Sequence, residues 1–182
     1  MRALQFSVVV LPKLDSEEKI GQIREKYDPW YYQISPYIPV VAPFTPTTLD
    51  DIENVSGHIS LARRDFHPVA VSFRECLEVD DRLVFLMDRG REELVGLQRS
   101  LAGTGSVTFP GEAEYEPRLV IGRVPDPHRR SQALADARRV GRILGVVDSV
   151  SLLEIESEGE MRLTANYPFG IGRVDYAGPF RV

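Results

Sequence analysis

Cysteine occurs once in this sequence, as Cys76, so no internal disulfide can form and thiol usage gives no sign of an oxidising compartment. Histidine occurs three times, at His58, His67 and His128, scattered without metal-ligand spacing, which speaks against a bound metal. No apolar run approaches the roughly 20 residues that a membrane span needs. The apolar start, 3–11, has only Arg2 before it and no small-residue cleavage site after it, so it reads as a first β-strand. The expected setting is the cytoplasm, away from any membrane. A surplus of positive charge is missing as well. The formal net charge of −5 excludes a surface that binds nucleic-acid phosphates all over, while leaving room for a local basic groove. The loop 103–111 (GTGSVTFPG) lacks the Gly-Lys-Ser/Thr ending of a phosphate-binding loop and follows a helix instead of opening one; it reads as a connection, and no cofactor is expected.

Hydrophobic residues at 43% and charged residues at 27% fit an ordinary globular chain. Residues 3–11 (ALQFSVVVL) are rich in β-branched types and end at Pro12, as a buried strand would. Asp15, three before Glu18, resembles a capping box ahead of a helix carrying Ile20, Ile23 and Tyr27. A strand over 37–41 closes at Ala42-Pro43-Phe44. Thr48 caps a helix with the stripe Ile52, Val55, Ile59 and Ala62. Strands over 68–77 and 82–87 follow, turning at Asp80-Asp81. A helix over 91–102, a strand over 118–124 and a helix with Leu134, Ala137, Val140 and Leu144 come next. Strands over 146–156 and 161–167 close the chain.

Each half thus reads helix, strand, helix, strand, strand, and the post-proline strands at Tyr37 and Arg118 hold equivalent places. That duplication predicts an α+β fold of two related lobes, 12–88 and 89–168, in a single domain over 1–182. A cleft between the lobes is where a ligand is expected.

This order resembles the 2H phosphoesterases, the 2′-5′ RNA ligase-like family, whose two-lobed, pseudo-symmetric LigT-like fold carries one His-x-Thr/Ser motif per lobe on a cleft-lining strand. The first family motif, of the type Pro-His-Ile-Thr-Leu with Pro-Phe shortly after, corresponds here to Pro36-Tyr37-Ile38-Pro39-Val40, followed by Pro43-Phe44. The second, of the type Pro-His-Leu-Thr-Ile-Gly, corresponds to Pro117-Arg118-Leu119-Val120-Ile121-Gly122. The resemblance implies two histidines as general acid and base on a phosphodiester, with hydroxyls holding phosphate oxygens. Tyr37 and Arg118 stand in place of the histidines, and Pro39 and Val120 lack the hydroxyl. A phenol of pKa ~10 is a poor base, and a guanidinium accepts no proton at all. On this reading no residue is catalytic in the family manner, and Tyr37 and Arg118 are candidate ligand-binding positions.

Bland alternatives stand beside these. Arg118 suits a phosphate fork, or else a salt bridge to Glu114 or Glu116 or a contact with Tyr37. Trp30, Tyr31 and Tyr32 read more readily as core than as a ligand platform. Arg123, Arg129, Arg130, Arg138, Arg139 and Arg142 form an RNA-binding edge or a solvated face, and the net charge favours the face. Glu154, Glu156, Glu158 and Glu160 read as a solvent face of a strand, and Cys76 as a structural thiol. His58-Ile59-Ser60 spells a family motif but lies inside a helical stripe. Three functions remain open: a cleft without two-histidine catalysis that binds a nucleotide, RNA end or other phosphate-bearing small molecule; an enzyme with a rearranged phosphoesterase or RNA ligase-like site; and a structural or partner-binding protein with a filled cleft. A monomer is expected.

Overall fold

The computed structural model describes residues 4–102, 114–156 and 159–177. These form two five-stranded antiparallel sheets flanked by four α-helices. In chain order the elements are β1 (Gln5–Val10), β2 (Lys13–Leu14), α1 (Glu17–Tyr27), β3 (Ile38–Phe44), α2 (Leu49–Ala62), β4 (Val69–Val79) and β5 (Arg82–Arg89). Then come α3 (Arg91–Ala102), β6 (Arg118–Arg123), α4 (Pro127–Arg138), β7 (Ile143–Val147), β8 (Ser149–Ile155), β9 (Met161–Pro168) and β10 (Asp175–Tyr176). One sheet runs β10-β9-β8-β1-β3 and the other β2-β7-β4-β5-β6, so each draws strands from both halves of the chain. Strands of 12–88 accordingly go to both sheets. The loop reading at 103–111 lies outside the described residues.

Local chemistry explains most boundaries. The Thr48 hydroxyl accepts the Asp51 N–H at 3.2 Å while the Asp51 carboxylate accepts the Thr48 N–H at 2.8 Å, a reciprocal cap that starts α2. Val55 and Ile59 of that helix are buried. The β4–β5 turn falls at Asp80, whose φ of 56° lies in the left-handed region that aspartate tolerates better than most residues.

Three local expectations are corrected. Asp15 does not cap α1, where Ser16 holds the N-cap position without a side-chain bond; the Asp15 carboxylate instead accepts the Leu144 N–H at 3.0 Å. Leu144 is not on a helix: α4 stops at Arg138, Gly141 turns the chain at φ 76°, and Leu144 lies on β7, 47% exposed. The run 146–156 is not one strand. It breaks at Asp148, with β7 in one sheet and β8 in the other.

The duplication has a spatial form that begins one strand earlier than the sequence suggests. β1-α1-β3-α2 matches β5-α3-β6-α4, with β1 and β5 each second from the edge and β3 and β6 each at the edge. The helices are exchanged. α1, which runs from β2 of the second sheet to β3 of the first, packs on β6 of the second, and α3, which joins two strands of the second sheet, packs on β3 of the first. The main core lies between helices and sheets, where Val8, Val10, Ile38, Leu119 and Ile121 point. Alternation along the strands sends Val9, Tyr37, Val84, Val120 and Leu153 to the other face, into a second apolar cluster between the sheets. No helix among the described residues is long and apolar enough to cross a membrane.

Candidate functional site

The two sheets meet edge to edge at the sequence-predicted positions. Just ahead of β3, Tyr37 donates its N–H to the Val120 carbonyl at 3.1 Å, and Val120 donates back to the Tyr37 carbonyl at 2.8 Å. The pairing is antiparallel, so two residues further on Pro39 stands opposite Arg118. The four positions therefore form one quartet with a diagonal symmetry, each position aligned with a motif histidine facing one aligned with a motif hydroxyl. The Tyr115 hydroxyl closes one side by donating to the Pro39 carbonyl at 2.8 Å.

Tyr37 is only 8% exposed and packs with Val9, Val84, Val120 and Leu153. Burial holds its phenol above the ordinary pKa, opposed by the nearby Arg82 and Arg123 charges. At neutral pH it is a protonated phenol, with no base strength to offer. The residual cavity beside it has a volume of about 10 Å³, lined by Arg24, Asp28, Trp30 and Arg123 among others. That is scarcely the space of one water.

Arg118 is half-buried beside Leu86 of β5. It does not take the partners foreseen for it. Glu116 belongs to Arg91, whose Nε and Nη2 reach both carboxylate oxygens at 2.6–2.9 Å. The Arg118 Nε is enclosed and has no hydrogen-bond partner, and no ion pair holds its guanidinium among the described residues. A donor in that state carries a desolvation cost of about 1–3 kcal/mol that an oxygen acceptor would relieve once the side chain turned to expose it. Its positive charge lies close enough to Glu116 to help lower that carboxyl, after the Arg91 hydrogen bond, which contributes most.

No histidine lines the Tyr37 cavity. His58 is buried in α2, with Nε2 at 2.7 Å from the Leu101 carbonyl, while His67 and His128 are exposed elsewhere. Of the basic edge, Arg129, Arg138, Arg139 and Arg142 are exposed, as a solvated face would be, and all six arginines meet partners within the chain. Arg123 pairs with Asp81 and lies 4.4 Å from the centre of the Trp30 ring; Arg129 donates to the Lys26 carbonyl. Arg130 donates to the Val124 carbonyl, Arg138 to the Cys76 carbonyl, Arg139 to Asp136, and Arg142 lies 3.5 Å from Asp88. Glu154 is not on a solvent face: it is 5% exposed and binds Arg162 with both oxygens. Glu158 lies outside the described residues. Cys76 is buried, and burial pushes its thiol up to about 12. Tyr32, expected in the core, is 86% exposed. Among the described residues no group of three or more His, Cys, Asp and Glu is placed to hold a metal.

One buried ion pair beside the candidate site escaped the sequence reading. Arg24 and Asp28, four apart at the end of α1, form a buried ion pair in which Nε and Nη2 both donate to Oδ2 at 3.1 Å. Oδ1 accepts the Trp30 N–H at 3.0 Å, fixing the chain that leads to Tyr37. The i,i+4 spacing of Arg24 and Asp28 was the available signal.

Two edge strands meeting through a pair of degenerate-looking motifs, on exchanged helix–strand repeats, define the class of scaffold, and solved structures share it. Escherichia coli LigT complexed with phosphate is 12% identical, covers 93% of this chain and 99% of its own, and superposes with a TM-score of 0.56. TT0787 of Thermus thermophilus is 14% identical with coverages of 93% and 99% and a TM-score of 0.60. Kluyveromyces marxianus Usb1 is 9% identical with coverages of 91% and 98% and a TM-score of 0.54. At these identities the likeness shows the fold. No curated protein sequence matches significantly. The model of the 2′-5′ RNA ligase superfamily matches residues 12–159, and the chain belongs to that family.

Proposed function

We propose that this chain is a superfamily member without two-histidine catalysis that binds a phosphate-bearing ligand through Arg118. The observation that carries this is the Arg118 guanidinium, half-buried at a motif position with an enclosed, unpartnered Nε. Acid–base chemistry needs two groups able to exchange a proton near neutral pH. The quartet of Tyr37, Pro39, Arg118 and Val120 offers a buried phenol, a fixed cation and two side chains without any titrating group. A planar fork at the same place suits a nucleotide, an RNA end or a small phosphate ester. Related folds have been crystallised with phosphate, with ATP and with 3′-AMP, which supports this ligand class.

Titration calorimetry with inorganic phosphate, 3′-AMP and 2′,3′-cyclic AMP tests the reading. Binding without turnover, lost in Arg118→Ala and partly kept in Arg118→Lys, is expected. Hydrolysis of the cyclic phosphate would overturn the absence of catalysis, and equal affinity in Arg118→Ala would overturn the role of the arginine. A second reading, a filled cleft serving structure or a protein partner, draws on the 10 Å³ cavity beside Tyr37. It gains if none of the three ligands binds.

A further inference from the structure

A concavity that the quartet does not use adjoins Arg24. It has a volume of about 530 Å³, within the usual range for small-molecule sites. Its walls come from the β2 segment, the inner face of α1 and the chain from Tyr31 to Pro36. It shares Arg24, Ile34 and Ser35 with the small cavity under Tyr37.

Three features make it more than a surface dent. The first is Gly21, in the middle of α1. Glycine there costs a helix roughly 1 kcal/mol relative to alanine. A Cβ at Gly21 would meet nothing closer than the Tyr31 hydroxyl, at 3.9 Å, so packing does not demand the glycine. What it does is keep the helix wall of the pocket bare.

The second is Arg24. Its side chain is buried, and two of its donors go to Asp28 Oδ2. Nη1 has no bond among the described residues, the guanidinium carbon lies 5.7 Å from the centre of the Tyr31 ring, and Arg24 lines the pocket. The third is the tyrosine pair. Tyr31 and Tyr32 meet edge to face, with ring centres 4.6 Å apart, and Tyr32 leaves its ring open to the rim.

Charge selects the ligand. Asp28 neutralises Arg24, Asp148 neutralises Lys13, and Glu17 adds a carboxylate at the rim. A phosphate gains nothing here. A flat, uncharged heterocycle with an acceptor on its edge fits each element: apolar walls of Leu11, Leu14 and Ile20, a guanidinium donor at the floor, and an aromatic ring to stack on. We propose that the concavity between α1 and the Tyr31–Pro36 chain is a nucleobase-binding site. It stands apart from the Arg118 reading and does not depend on it.

The probes are adenosine and uridine, which carry no phosphate, followed by calorimetry and by the fluorescence of Trp30. Saturable binding of at least one nucleoside is expected. Tyr32→Ala should weaken it roughly 5- to 150-fold, the range of a single base–aromatic stack. Gly21→Leu fills the bare wall and improves the helix, so it should abolish nucleoside binding while melting no lower than wild type. Inorganic phosphate should bind Gly21→Leu as it binds wild type, which separates a failure here from a failure at Arg118. The proposal falls if neither nucleoside binds, or if folded Gly21→Leu binds it as wild type does. Should Gly21→Leu not fold, unchanged affinity in Tyr32→Ala would be the overturning result.

Discussion

Gly122 of β6 lies directly against the carboxylate of Asp28: a Cβ built on Gly122 would stand 3.1 Å from Asp28 Oδ2 and 3.3 Å from its Cβ. The aspartate has nowhere to go, since Arg24 holds one oxygen and the Trp30 N–H the other. Gly122→Ala is therefore expected to destabilise the fold by about 1–3 kcal/mol through overpacking. Thermal unfolding checks it, with a fall of about 2–4 °C for each kcal/mol at this chain length. An unchanged midpoint would show that the ion pair can shift.

His58 supports the end of a helix. Its Nε2 meets the carbonyl of Leu101, one of the last α3 carbonyls, which have no partner within the helix. His58→Ala should lower stability by about 1–3 kcal/mol, the cost of an unsatisfied buried acceptor. Affinity for phosphate, 3′-AMP or nucleosides should not change. A selective loss of binding with full stability would show that the His-Ile-Ser triplet serves a ligand after all.

Cys76 is enclosed within the main core, with its thiol pushed up to about 12 by burial. The thiolate is the nucleophile, so a disulfide reagent should leave native protein unlabelled at pH 8 and label it at the rate of unfolding. Fast labelling under native conditions would contradict the packing of β4.

The Tyr27 hydroxyl at 2.7 Å, the Lys26 ammonium at 3.0 Å and the Gln132 amide at 3.0 Å hold the Asp136 carboxyl down at about 2. Its folded pKa lies below the unfolded value of ~3.9. The stability it contributes is thus complete above about pH 4 and drains away as pH falls through about 2. Urea midpoints of wild type and Asp136→Asn should differ at pH 5 and converge toward pH 2. A gap that stays constant over that range would remove Asp136 from the acid response.

How far the sequence carried depends on the range of the interactions. The α2 cap and the Asp80 turn rest on neighbours within four residues and stand where capping and turn chemistry put them; β6 stands where its apolar run put it, although its pairing with β5 is long-range. The meeting of Tyr37 with Val120 was reachable only through the family motifs. Asp148 was not legible as a sheet switch, because the run it divides is apolar and β-branched on both sides. Arg118 has no ion-pair partner among the described residues for a reason the sequence hides: Arg91, 25 residues before Glu116, takes the carboxylate that lies nearest to Arg118 along the chain.

The exchange of α1 and α3 between the sheets has a mechanical meaning. α3 is tethered at both ends to the second sheet and clamped over β3 of the first. α1 runs from β2 of the second sheet to β3 of the first and lies on β6, so both helices bridge the sheets, as in clasped hands. The halves cannot swing apart like jaws without stripping a helix from its seat. A molecule that enters near the quartet must be admitted by turning side chains or yielding loops, and a proteolytic nick between α3 and β6 would leave two fragments still hooked together.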